Sequence, residues 1–186
     1  MANAQNVTDR LMDEHQVILR MLDLLEAQAH AVERGAEPDA EFLTAAIDFV
    51  RRFADRFHHA KEEDILFAAL LANGMPAEHS PVAAMLMEHE QGRQFLRGLE
   101  GALSAHPSGG PGQRERIVEN ARGYCALLRD HIDKEDHILY PLAERILPAT
   151  GREGLLAAYA AAEAQAPSVL EAARELLCRY EPSSAA

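Results

Sequence analysis

The sequence predicts an all-α fold, an antiparallel up-down four-helix bundle carrying one or two short C-terminal helices. Three observations predict it. Apolar residues recur at alternating steps of three and four over long stretches, the spacing that keeps side chains on one helical face. No stretch of any length alternates apolar and polar residues as a half-buried strand does. Glycine and proline gather at Gly35 to Pro38, Asn73 to Pro76, Pro107 to Gly112 and Pro148 to Gly151, leaving stretches of about 25–35 residues between them.

The first helix carries Leu11, His15, Ile18, Leu22, Leu25, Ala29 and Val32 on one stripe. The second, about Asp39 to Ala72, buries some combination of Phe42, Ile47, Val50, Phe53, Ala54, Ile65 and Ala69. Ser80-Pro81 is a helix-start signal, and the third stripe is Val82, Leu86, His89, Leu96, Leu99 and Leu103. The fourth is Ile117, Ala121, Tyr124, Leu128, His131, Glu135, Ile138 and Leu142. Beyond Thr150 the chain turns Ala-rich, and Thr150…Glu153 and Ser168…Glu171 resemble capping boxes of two shorter helices. Leu170, Ala173, Leu176, Leu177 and Tyr180 would pack the last one back on the bundle. The expected division is a bundle over 1–148 and an extension over 149–186. The methionines Met12, Met21, Met85 and Met87 read as gap-fillers.

Composition narrows the function. The chain has 186 residues, 48% hydrophobic and 26% charged, enough for a real core. Its formal net charge of −12 argues against a phosphate-neutralising surface, so nucleic acid and anionic membrane are not expected partners. No run of about 18 apolar residues is present to span a bilayer, and the N-terminus has no secretory pattern. Cys125 and Cys178 suggest neither a disulfide framework nor a thiolate site. The expected address is cytoplasmic.

The polar interruptions of the stripes are the informative residues. His15, His89 and His131 stand where Leu or Ile belongs, and Glu135 follows His131 by one turn on the same face. A buried carboxylate without a partner is too costly to be an accident. An internal repeat organises these residues. Residues 57–67 align with 130–140 at an offset of 73, with His, Lys, Glu, Ile and Leu coinciding. Glu14-His15, Leu22, Leu25 and Glu26 align with Glu88-His89, Leu96, Leu99 and Glu100 at an offset of 74. Each half thus carries one His and then His-x-x-x-Glu. A helix places i and i+4 side by side, so one His and one Glu can share an ion. Folded together, the halves bring four imidazoles and two carboxylates to the middle, a nitrogen–oxygen set suited to two ions of iron or manganese. The offset pairs His58 with His131, but His59/Glu63 competes with His58/Glu62.

The order H…HxxxE…H…HxxxE, with Glu14-His15 and Glu88-His89 opening the halves, resembles the hemerythrin-like (HHE cation-binding) family over about residues 8 to 147. The resemblance implies a four-helix bundle holding two iron ions with an oxo or hydroxo bridge, manganese or zinc being possible. It implies O2, peroxide or nitric oxide as the small-molecule partner. By matching position it implies His15, His58, Glu62, His89, His131 and Glu135 as metal ligands, the two glutamates bridging; Asp136 competes with Glu135 because some hemerythrins use an Asp five residues after the His, and the symmetry with Glu62 favours Glu135. Oxygen carriers of the family have a further His where this chain has Met85. Two octahedral ions then keep two open positions unless His79, His59, Glu63 or Tyr124 fills one. Open positions suit peroxide or nitric oxide chemistry, or iron sensing, better than plain O2 carriage. An iron- or oxygen-responsive regulatory module acting through a protein partner is the alternative, and a metal-free interaction protein the third. His30, His79, His106 and His137 read as surface or loop residues, and Tyr124 and Cys125 as core.

Overall fold

A computed structural model describes residues 6–105 and 112–181. The expectations for the N-terminal residues 1–5, for His106 and for the connection up to residue 111 lie outside the described residues. All regular structure among the described residues is helical, in a bundle. Helix α1 is Asp9–Glu33, α2 spans 40–72, α3 is Pro81–Ala105, α4 spans 113–146, α5 is Ala149–Ala164 and α6 is Val169–Tyr180.

Local chemistry sets several boundaries. Gly35, at φ +97°, takes the left-handed conformation that ends α1. The Asp39 side chain accepts the Phe42 N–H at 2.9 Å and starts α2. Ser80 Oγ accepts from Ala83 N–H at 3.3 Å, with Pro81 at the first position of α3 as the sequence suggests. The two expected capping boxes do not form. Pro148, extended at ψ 144°, already starts α5, so Thr150 falls inside its first turn. Ser168 has helical ψ of −4° and makes no side-chain cap bond.

Two of the helices are not uniformly α. Wide π turns run through Val50–His59 and Glu62–Phe67 in α2, and through Glu135–Leu139 in α4. A π turn closes over one more residue than an α turn, so the apolar stripe slips by one. Burial therefore falls on Leu66 and Leu70, not Ile65 and Ala69, and on Leu139 and Ala143, not Ile138 and Leu142. Ile138 is 58% exposed. In α3 the stripe steps through Met85 instead of Leu86, which is 40% exposed. Met21 and Met85 do fill the core, whereas Met12 and Met87 are exposed.

Contacts pair rising positions of α1 with falling positions of α4, from Thr8–Glu144 through His15–Asp136 and Asp23–Arg129 to Glu33–Arg122. On α2 and α3, Arg51 meets Glu100, Asp55 meets Arg93 and Glu63 meets His89. The α3–α4 seam is tight at Gly123, where an added Cβ would lie 2.4 Å from the Phe95 ring. Gly123→Ala is therefore expected to destabilise the chain by about 1–3 kcal/mol, read by urea denaturation, through overpacking that outweighs the helix propensity gained.

The core has two apolar layers. One contains Ile18, Phe53, Leu96, Tyr124 and Leu128. The other contains Leu11, Leu66, Met85, Leu139 and Tyr140. On each of α1 to α4, the step from one layer to the other passes through buried His or Glu. A polar stratum is thus enclosed between two dry ones. Helix α6 packs on the first layer through Ala173 and Leu177, flanked by half-buried Leu170, Leu176 and Tyr180. Helix α5 inserts Tyr159 into the second. No helix among the described residues is long and apolar enough to cross a membrane.

Candidate metal centre

Glu62 and Glu135 are wholly buried, and five imidazoles surround them. The donors fall into two groups, each with its atoms within 4.8 Å of one another. His15, His58, Glu62 and Glu135 form one, and His59, Glu62, His89 and His131 the other. Glu62 is common to both. Its Oε2 lies 3.7 Å from His58 Nε2 and 3.5 Å from His89 Nε2. Glu135 Oε2 likewise stands between the groups, 3.3 Å from His15 Nε2 and 3.2 Å from His131 Nε2.

A hydrogen-bonded core cluster would consume these oxygens. It does not: Glu62 Oε2 and both oxygens of Glu135 have no hydrogen-bond partner among the described residues. Carboxylate oxygens buried in this way carry a heavy desolvation cost. A divalent ion offsets that cost, and the surrounding imidazole nitrogens complete its donor set. The residues fit a pair of ions.

A second ring of carboxylates aims the imidazoles. Nδ1–H of His15 donates to Asp136 at 2.7 Å, that of His58 to Glu14 at 2.9 Å, that of His89 to Glu63 at 2.7 Å, and that of His131 to Glu88 at 3.0 Å. A carboxylate only accepts, so it fixes the proton on Nδ1 and turns Nε2 inward. Cations hold this ring in turn. Lys61 bonds Glu14, Lys134 bonds Glu88, and Arg93 bonds Glu63 and Asp55. The duplication reaches this far out, because Lys61 and Lys134, and Glu63 and Asp136, are equivalent at the offset of 73. His59 is held differently. Its ring stacks on His89 at 3.9 Å, and its Nδ1, 3.8 Å from Asp55, has no hydrogen-bond partner.

Protons supply the missing positive charge in the metal-free chain. Burial alone would lower the His15 pKa, yet Asp136 and Glu135 hold it up at about 10. His89 is held at about 9 against burial by Glu62 and Glu63. Burial and then the charge of Glu62 push Glu135 up to about 8. Glu62 itself stays well below the usual carboxylate range despite burial, because His58 and His89 face it. Burial pushes His59 and His131 down. Ions entering the stratum would displace such protons, so their binding would tighten as pH rises.

All six sequence-predicted residues meet in this stratum. His58 and His59 are both inward, a choice the sequence framed as one or the other; π turns let two neighbours share a face. Glu63 and Asp136 stand behind imidazoles. His79 is exposed, at φ 55°, and Tyr124 is core, its hydroxyl without a hydrogen-bond partner. Tyr140, whose hydroxyl donates to Glu62 Oε1 at 2.5 Å, was not anticipated. The only signal for it was its alignment with Phe67 in the repeat.

The sequence model of the hemerythrin HHE cation-binding domain matches residues 6–143. The chain belongs to the hemerythrin HHE family. Curated proteins similar to it include an uncharacterized protein of Mycobacterium bovis and another of Mycobacterium tuberculosis, each 22% identical over 139 residues. Each alignment takes in 75% of this chain and 54% of the relative, so the chain spans about half the length of the curated proteins it matches. No solved structure matches this HHE protein.

Proposed function

We propose that this HHE protein is a non-haem di-iron protein that binds or reacts with O2, peroxide or nitric oxide in the cytoplasm. In this reading residues 1–148 form an antiparallel up-down four-helix bundle, and 149–186 an extension packed on it. His15, His58, Glu62, His89, His131 and Glu135 hold two iron ions joined by an oxo or hydroxo bridge, with both glutamates bridging. His59 joins them as a fifth imidazole and takes up one of the two positions that those six ligands and the bridge leave open. The observation that carries the reading is the set of unpartnered oxygens on Glu62 and Glu135, facing imidazole nitrogens in a stratum sealed by apolar layers.

Bound iron would supply the electrons that small oxidants take up. The chain's own residues prepare the place. Four outer carboxylates hold the imidazole tautomers, the apolar layers exclude bulk water, and Glu62 ties the two groups together. Nothing in the acidic composition favours nucleic acid as a partner.

Elemental analysis of protein purified with iron available is expected to give about two ions per chain, with the near-ultraviolet absorption of a bridged ferric pair. A content below about 0.2 per chain overturns the reading. In an iron titration, His59→Ala is expected to weaken one ion at least about tenfold and leave the other unchanged. An unaltered titration removes His59 from the ligand set.

One observation favours a second reading, an iron-responsive regulatory module. Lys61, which bonds Glu14 behind His58, also reaches Glu163 on α5 at 3.4 Å, and Glu163 bonds Arg10 at 2.8 Å. The site is thus wired to the C-terminal extension. Peroxide consumption supports the first reading, whereas iron-dependent capture of a protein partner supports the second.

A further inference from the structure

The duplication breaks at two places beside the ion pair. At the offset of 73, His59 corresponds to Ile132, and Phe67 corresponds to Tyr140. Phe67 lies against the face of His89 at 6.0 Å with an interplanar angle of 18°. Tyr140 lies against the face of His15 at 5.5 Å and 7°. The two rings therefore occupy equivalent places, and only one carries an oxygen. The two donor groups differ in the complementary sense. The group around His89 has three imidazoles, and the group around His15 has two.

Where the Tyr140 oxygen sits is decisive. It is wholly buried, donates to Glu62 Oε1 at 2.5 Å, and lies 3.3 Å from His15 Nε2. The second-ring carboxylates all touch Nδ1, the outward nitrogen. Tyr140 touches the inward one. With metal–ligand bonds of about 2.1 Å, adjacent donors of an octahedron stand about 3 Å apart. The phenol oxygen stands from His15 Nε2 at close to that donor–donor spacing, and its hydrogen bond brings it nearer still to Glu62 Oε1.

We infer that Tyr140 is a phenolate ligand of the ion held by His15, His58, Glu62 and Glu135, the counterpart of His59 in the other group. The inference rests on the two-ion reading above. As the metal–oxygen bond forms the O–H bond breaks, and the proton leaves to solvent with the others released on metal binding. No oxidation state changes. With His59 and Tyr140 both bound, the octahedral positions of the pair are filled, and a small molecule reaches the ions only by displacing a ligand.

Phenolate on ferric iron gives a broad visible charge-transfer band, and excitation in that band enhances phenolate ring modes in the resonance Raman spectrum. Imidazole and carboxylate give neither. The full chain loaded with ferric iron is therefore expected to show both at about two ions per chain. Tyr140→Phe is expected to lose them while still binding iron. The chain has four tyrosines, and the hydroxyls of Tyr124 and Tyr159 are buried without hydrogen-bond partners, so their removal breaks no bond. The triple variant Tyr124→Phe, Tyr159→Phe, Tyr180→Phe, which retains Tyr140 alone, is expected to keep the band. It carries the test even where Tyr140→Phe folds poorly. Two ions per chain without phenolate modes, or modes that survive Tyr140→Phe, overturn the assignment and leave the two-ion reading standing. Iron below about 0.2 per chain overturns both.

Discussion

Glu62→Gln is expected to empty both metal positions at once, taking iron content from about two ions per chain to below about 0.2. Among the described residues Glu62 alone is common to the two donor groups, and its Oε2 faces His58 and His89 from the middle of the stratum. An amide at this position removes a negative charge that two bound cations would share and presents an N–H donor where a lone pair would be needed. The loss should exceed the 10–100-fold in affinity typical when a supporting second-ring residue is removed. Glu63→Gln, which disturbs only the carboxylate behind His89, supplies that smaller comparison. The metal-free variant should be less stable than the metal-free parent near neutral pH, because the amide no longer balances the protonated His89 in a buried place. Elemental analysis and a chelator-treated melting curve read the two halves of the expectation separately. Retention of two ions by Glu62→Gln would mean that the two donor groups do not depend on a shared carboxylate.

The sequence made the helices and the six inward residues legible because both are periodic. Stripes of apolar residues mark faces, and a His or Glu breaking the stripe twice at the same spacing marks a shared purpose. What it hid has a common physical origin. The π turns sit at the inward His and Glu residues themselves, and a stripe read at 3.6 residues per turn runs one position off beyond them. Ile65 and Ile138 were expected inward for that reason, and Leu66 and Leu139 were missed. The same turns conceal that His58 and His59 both face the stratum. The roles of Glu14 and Glu88 were hidden in another way. Each precedes a candidate ligand in sequence, but each supports a histidine on a different helix, His58 and His131 respectively. Only tertiary contact reveals that. Tyr140 was overlooked because an aromatic residue on a buried face is ordinarily packing, and one hydroxyl is all that separates it from Phe67.

Removing the ions should expose how the stratum is balanced, and pH should set the size of the effect. Each ion at about a thousand times its dissociation constant stabilises the fold by about 4 kcal/mol. For a chain of this size two such ions raise the melting temperature by roughly 15–30 °C over the chelated protein. The gap should widen between pH 7 and 9. In the metal-free chain His15 and His89 hold protons to about 10 and 9, above the ordinary 6.5, through their carboxylate partners. Such raised groups contribute stability that is full below about 6.5 and is lost as pH climbs through those values. Glu135, raised to about 8 by burial and the charge of Glu62, acts in the same sense, since its favoured neutral form disappears as pH rises. Glu62, His59 and His131 are depressed, so their contributions are already constant above neutrality. The chelated protein should therefore lose stability across this window. The loaded protein should not, because metal has taken the place of those protons and competes with fewer of them at each step upward. Parallel pH dependences for the loaded and chelated forms would show that cations and protons do not exchange at this site.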